Sequence, residues 1–245
     1  MKKTLITLMA LVGMAGAAEY NNLLSSSDGW TSYHWYSNTS TEKEKGTYIN
    51  TEEEKFVGSG GWDYTSIKYT FDDVITLDSV NNTLEFSYTL YVGDNACSTV
   101  TFIGSDKAIV TGVGGYSDQK GVGFGTTATT TGKFYNFKDE TNGGHTVKTD
   151  SWTKVYNYST LPLTADVTGC VTFDGSEYTL TLSCGESTNT LSLGKSFDVQ
   201  SLVISGNGSG GANVSNLKLA VVPEPATATL SLLALAGLAA RRRRK

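Results

Sequence analysis

The chain has 245 residues, 18% of them charged and 39% hydrophobic, with 27 Gly, 3 Pro and a formal net charge of −5. Seven of its 19 basic residues but only one of its 24 acidic residues lie in the two termini, so the stretch between them carries about −11. A domain of that charge is repelled by nucleic acid and by anionic surfaces, which excludes nucleic acid as a partner and favours neutral ligands or cations. Residues 1–18 read as an address. Met1-Lys2-Lys3 is followed by an apolar run from Leu5 to Val12 and small residues from Gly13 to Ala18, the three parts of a secretory signal peptide. It is expected to be a helix cleaved by signal peptidase after Ala17 or Ala18.

The next feature is aromatic. Trp30-Thr31-Ser32-Tyr33-His34-Trp35-Tyr36 is followed by Trp62 and Tyr64, and later by Trp152, Tyr156 and Tyr158. Sugar rings stack their C–H faces on such side chains, so Trp30, Tyr33, Trp35 and Trp62 are candidate glycan contacts. Alternation splits any strand here, with Tyr33 and Trp35 on one face and His34 and Tyr36 on the other.

From residue 67 onward the pattern has the two-residue period of half-buried strands. Ile67, Tyr69 and Phe71 alternate, as do Leu84, Phe86, Tyr88, Leu90 and Val92. Val100, Phe102, Ile109 and Val113 alternate less cleanly, and Leu202, Ile204, Val214, Leu217 and Leu219 close the domain. Asn81-Asn82, Gly93-Asp94, Asp174-Gly175, Gly185-Glu186 and Gly206-Asn207-Gly208 read as turns. Asp72-Asp73 reads as a turn and Glu52-Glu53-Glu54 as a solvated loop. No helical period of useful length appears between the ends. Short strands with turns every 8–14 residues imply a single all-β domain over residues 19–221, an antiparallel sandwich or jelly roll.

The three cysteines are Cys97, Cys170 and Cys184. Export into an oxidising compartment permits a disulfide. A hairpin turning at Asp174-Gly175 nevertheless points Cys184 inward with Leu180 and Leu182, and Cys170 outward. These two are therefore not expected to pair.

Catalytic constellations are absent from the sequence. With two histidines, His34 and His145, there is no His-Glu-x-x-His, and no Gly-x-Ser-x-Gly nucleophile turn. Gly121-x-Gly123-x-Gly125 leads into Thr-rich strand sequence rather than a helix, which removes the helix N-terminus that a phosphate cradle needs. Asp72, Asp73, Asp94 and Asn95 are calcium-type donors, but no Asp-x-Asp-x-Asp-Gly loop joins them, so neither a metal nor another cofactor is assigned.

The last segment reads Val221-Val222-Pro223-Glu224-Pro225, a run rich in Ala and Leu from 226 to 240, and Arg241-Arg242-Arg243-Arg244-Lys245. The prolines end the folded domain. As a helix, the run reaches only about 22 Å against a hydrocarbon core of about 30 Å. Such a short hydrophobic helix suits a transient transmembrane stay, with the basic stop on the cytoplasmic side. Residues 222–245 resemble the PEP-CTERM sorting signal of Gram-negative bacteria. That resemblance implies processing near Pro223-Glu224-Pro225 by an exosortase, and a destination at the cell surface, outer envelope or extracellular matrix.

The stretch Phe173–Leu182, with Leu202–Gly206 and a last strand near Asn216–Leu219, resembles concanavalin-like and laminin-G-like jelly rolls, which often bind carbohydrate. Hydrolases on that scaffold carry Glu-x-Asp-x-x-Glu on one strand. Here Glu85-Phe86-Ser87 lacks both the Asp and the second Glu. The reading is therefore a non-catalytic surface or matrix sandwich that either binds extracellular polysaccharide or simply populates the envelope, with a polysaccharide hydrolase as the alternative. Changing Pro223, Glu224 and Pro225 to Ala is expected to leave an unprocessed, membrane-held precursor. Immunoblots of membrane and surface fractions check this, and unchanged processing would reduce the tail to an anchor.

Overall fold

The computed structural model describes residues 19–20, 22–35, 42–43, 48–58, 64–114, 121–128, 149, 152–158, 160–208 and 210–222. The expected terminal helices, the Pro223–Pro225 motif, the Arg241–Arg244 stop and Trp62 lie outside them.

Among the described residues sixteen strands run in chain order: β1 (Glu19–Tyr20), β2 (Trp30–Trp35), β3 (Glu42–Lys43), β4 (Ile49–Asn50), β5 (Lys55–Val57), β6 (Tyr64–Thr76), β7 (Thr83–Val92), β8 (Ala96–Ile103), β9 (Lys107–Val113), β10 (Val122–Ala128), β11 (Thr153–Tyr156), β12 (Leu163–Phe173), β13 (Tyr178–Cys184), β14 (Ser187–Gly194), β15 (Asp198–Gly208) and β16 (Ala212–Val222). They form two antiparallel eight-stranded sheets. The first has the order β14-β13-β12-β7-β16-β5-β4, with β1 also on β16; the second runs β11-β10-β9-β8-β15-β6-β2-β3. The expected all-β jelly-roll sandwich is what the chain forms, with no helix among the described residues.

The first sheet obeys one-sided patterning. On β7 the burial alternates from Thr83 to Val92, with Leu84, Phe86, Tyr88, Leu90 and Val92 inward. Each such buried side chain contributes about 1.5–3 kcal/mol. Phe86 meets Phe102 of the second sheet with ring centroids 4.6 Å apart. Tyr88 Oη donates to Thr111 Oγ1 at 2.9 Å, and that hydroxyl donates to the Val100 carbonyl at 2.9 Å. The pair satisfies polar groups that the core strips of water, and burial pushes the Tyr88 phenol far up.

The β12–β13 hairpin forms as expected, from Phe173 opposite Tyr178 to Val167 opposite Cys184. Asp174 Oδ1 accepts from the Glu177 and Ser176 amides at 2.9 and 2.8 Å, and these donors hold its carboxyl below the usual range. Cys184 lies in the core while Cys170 stands opposite Thr181 on the outer face, and none of the three cysteines forms a disulfide.

Two turn expectations need correction. Gly206 and Asn207 sit inside β15, and the reversal comes only after Gly208. Gly206 is a packing glycine, since a Cβ there would lie 2.9 Å from Ala212 Cβ and 3.1 Å from the Phe56 ring. Asp72-Asp73 also lies within a strand, in a β6 bulge where Thr70 faces Ser201 and Ile75 faces Val199. A bulge likewise explains Val214 and Leu217, three apart yet both fully buried. The β16 register slips between Ser215 and Lys218, with Asn216 at φ 54°, so one extra residue restores the inward face. The Glu52–Glu54 loop is a turn joining β4 to β5.

The second sheet departs from one-sided patterning. All of β8 from Ala96 to Ile103 is buried, as are Ala108–Val113 of β9 and Ser201–Asn207 of β15. Two-sided burial is why alternation is poor between Val100 and Val113.

In the core, a methyl on Gly169 would lie 2.2 Å from the Phe86 ring. Gly169→Ala is expected to destabilise the fold by about 1–3 kcal/mol by displacing that ring, read as a fall in the denaturant midpoint at unchanged slope.

Candidate functional site

The outer face of the second sheet holds the most unusual chemistry. Antiparallel register places directly opposed residues on one face. One row runs Ser66, Ser205, Thr99, Gly112, Gly123 across β6, β15, β8, β9 and β10; the next runs Lys68, Val203, Thr101, Val110, Gly125. Asn207 stands opposite Cys97 beyond the first row. The residues are small because the face is covered: Thr99, Thr101, Ser66 and Asn207 are all at most 2% exposed.

Some of these polar groups satisfy one another. Ser66 Oγ and Ser205 Oγ are 2.8 Å apart, and the Cys97 thiol donates to Asn207 Oδ1 at 2.9 Å. Three atoms are not satisfied. Thr101 Oγ1, Asn207 Nδ2 and Trp152 Nε1 are buried without a hydrogen-bond partner. Each costs about 1–3 kcal/mol relative to a paired group, and such groups in native proteins call for an explanation such as a ligand or water.

Trp152 packs on the small cluster of Ile103, Ala108, Val110 and Val203. Its indole lies over β10, and a Cβ on Gly123 would be 2.7 Å from Nε1. Glycine at 123 is what lets the ring approach the strand. The signal for it in the sequence is Gly123-x-Gly125: two glycines on one face of a strand leave a strip with no side chain of its own. The other orphans, Thr101 and Asn207, carry no signal in the sequence, because their burial is a property of the assembled protein and not of their strands' residue pattern.

The four nominated aromatics do not form one group. Trp30 is half-buried, donates Nε1–H to the Leu23 carbonyl at 2.9 Å, and lies 5.4 Å from the Tyr69 ring on the core side. Tyr33 and Trp35 occupy the alternate register positions, opposite Ser66 and Tyr64. Position 33 thus extends the Ser66–Ser205–Thr99 row, while Trp30 belongs to the other face by the strand period.

The outer face of the first sheet carries a depression of about 430 Å³ of mixed lining, with Glu85, Cys170, Thr181 and Lys218 beside Leu219 and Ala220. Burial pushes the Cys170 thiol up, which keeps it protonated and a poor nucleophile. Among the described residues no group of three or more His, Cys, Asp or Glu is placed to hold a metal. The calcium-type donors are far apart: Asp72 and Asp73 lie beside Ser201, and Asp94 lies at the turn by Gly210, near the other end of β15.

No curated protein matches the chain in sequence. Solved structures of similar outline include the metal-free carbohydrate recognition domain of Emp46p, at 13% identity and TM-score 0.46, covering 82% of this chain and 94% of that one. Arcelin-5, a lectin-like defense protein from Phaseolus vulgaris, has 9% identity and TM-score 0.47, covering 86% and 100%. The Crh5 transglycosylase in complex with NAG has 14% identity and TM-score 0.49, covering 86% of each chain. At these values the likeness describes outline alone, and the fold assignment rests on the strand pairing above. Residues 221–245 match the PEP-CTERM protein-sorting motif, so the chain carries the C-terminal sorting signal of exported surface proteins, entered directly from β16.

Proposed function

We propose that this is an exported, exosortase-sorted protein of the cell envelope or extracellular matrix whose sandwich binds a neutral glycan on the outer face of the second sheet and does no chemistry on it. The sorting half rests on the 221–245 match. It takes signal peptidase at Ala17 or Ala18, an exosortase at Pro223-Glu224-Pro225, and a brief membrane stay of the 226–240 run ahead of Arg241–Arg244.

The observation that carries the binding half is the set of three orphaned buried polar atoms on one face, Thr101 Oγ1, Asn207 Nδ2 and Trp152 Nε1. Two are obligate donors and the third is a hydroxyl that both donates and accepts. Sugar hydroxyls and ring oxygens supply the partners that set lacks, and reaching it requires the covering of this face to part, because Thr101 is 1% and Asn207 0% exposed. Trp152 adds an apolar ring for a sugar face, and position 33 prolongs the Ser66 row onto β2, with position 35 opposite Tyr64 two residues along. The acidic surface disfavours polyanionic polymers.

The hydrolase alternative needs two carboxylates roughly 5–10 Å apart across a cleft. Among the described residues, the central rows of this face carry Ser66, Lys68, Cys97, Thr99, Thr101, Ser205 and Asn207 and no Asp or Glu, and Glu42, opposite Trp35, stands at the β3 edge.

Two measurements test this reading. On a panel of neutral polysaccharides, Trp152→Ala is expected to weaken binding at least about tenfold, the loss of roughly 1.4 kcal/mol of contact. Thr101→Val is nearly isosteric and removes an orphaned hydroxyl. It is expected to raise stability by about 1 kcal/mol while lowering glycan affinity. A Thr101→Val protein that is less stable and binds unchanged would make the site structural or water-filled, and turnover of any polysaccharide would transfer the reading to the hydrolase.

A further inference from the structure

The two ends of the sandwich domain lie side by side. β1 pairs with β16 so that Glu19 faces Ala220 and Tyr20 faces Leu219. β16 itself remains in the middle of the first sheet to its last residue, with Val222 opposite Thr83 on β7. There is no linker: Pro223 follows a residue still held in the ladder. Residues 223–225 extend at most about 11 Å. The polar layer on each side of a bilayer's hydrocarbon core is about 5–8 Å deep. A run beginning at residue 226 and seated in the membrane therefore draws this end of the sandwich onto the headgroups.

That end has a defined surface. The 77–82 loop joins β6 to β7 and the 174–177 loop joins β12 to β13, and the Phe173 amide donates to the Asn82 carbonyl at 2.8 Å between them. Asp78 Oδ1 accepts from the Val80 and Asn81 amides, each at 2.7 Å. This turn holds Val80 at its tip with 59% of its surface exposed. The two loops contain Asp78, Asp174 and Glu177 and no Lys or Arg. The opposite pole, where the Gly210 amide donates to the Asp94 carbonyl, is about 30 Å away along the ten residues of β7.

We infer that the pole formed by the start of β1, the end of β16 and the Val80 turn is the membrane-facing surface of the unprocessed protein, and that it fits a zwitterionic lipid surface. The inference rests on the proposed membrane stay of the tail. Its consequences are an upright sandwich with the Asp94 pole pointing away from the bilayer, and a domain with no membrane affinity of its own once the tail is cut. Two cations also sit at this end, Lys195 beside Gly194 opposite Tyr178 and Lys107 on the Leu193 carbonyl, but the three loop carboxylates outnumber them and oppose anionic headgroups, so the hold is the short tether.

The test places a photocrosslinking benzoylphenylalanine at Val80 or at Asp94 in the full chain, reconstituted into phosphatidylcholine vesicles. Lipid adducts are expected to be several-fold more abundant from position 80 than from 94. Inserting about 20 Gly/Ser residues between Val222 and Pro223, with mean span about 25 Å, is expected to abolish the difference. Replacing half the lipid with phosphatidylglycerol is expected to reduce the position-80 adduct. Equal adducts from both positions, or a ratio unmoved by the linker, would overturn the inference. Vesicle flotation reads attachment separately: a chain that does not float removes both the membrane stay and this inference, whereas one that floats with equal adducts removes only the orientation.

Discussion

A strand buried on both faces must find partners for every polar side chain it carries. β8 is such a strand, buried from Ala96 to Ile103, and the second sheet is organised by the consequences. Its core-side polar groups are satisfied across the sandwich, as in the Tyr88–Thr111–Val100 chain of hydrogen bonds. Its outer-side groups are satisfied only in part, by the Ser66–Ser205 and Cys97–Asn207 pairs. Among the described residues, three of the five orphaned buried atoms, Thr101 Oγ1, Asn207 Nδ2 and Trp152 Nε1, gather on this face, whereas Asn22 Oδ1 and Asn81 Oδ1 lie singly in loops.

The two sheets divide the work. The first is one-sided, so its stability follows from plain alternation on β7 and β13 and from alternation kept in phase by the Asn216 bulge on β16. It also holds both chain ends, through the β1–β16 and β7–β16 pairings. Placing the exit to the sorting motif in a central strand means that processing after Val222 removes no part of the core. The second sheet gives up apolar burial on its outer face for hydroxyls, glycines and an amide, a composition poorly suited to stabilisation and well suited to recognition of a polar ligand.

Much of this was legible in the residues. The β7 alternation, the β12–β13 hairpin and the inward and outward settings of Cys184 and Cys170 follow from a two-residue period that tertiary contacts do not alter. Other features were not. Val214 and Leu217 are out of phase until the Asn216 bulge is seen. Gly206-Asn207-Gly208 has the composition of a turn, yet Gly206 is demanded by Phe56 and Ala212, which arrive from distant strands. Alternation splits the aromatic run at Trp30, but which half packs inward is decided only by the anchoring of Trp30 to Leu23 and Tyr69 on the core side.

Local chemistry alone was enough to establish the address and the fold class. A PEP-CTERM tail is linear, and strand alternation reports burial one strand at a time. Tertiary structure alone decided which polar residues became a site. Thr101, Asn207 and Trp152 are far apart in the chain and ordinary in type, and they matter only because the β8–β15 and β8–β9–β10 registers bring them to one covered face. Burial without a partner is a property of the assembled sheet, and no single strand encodes it.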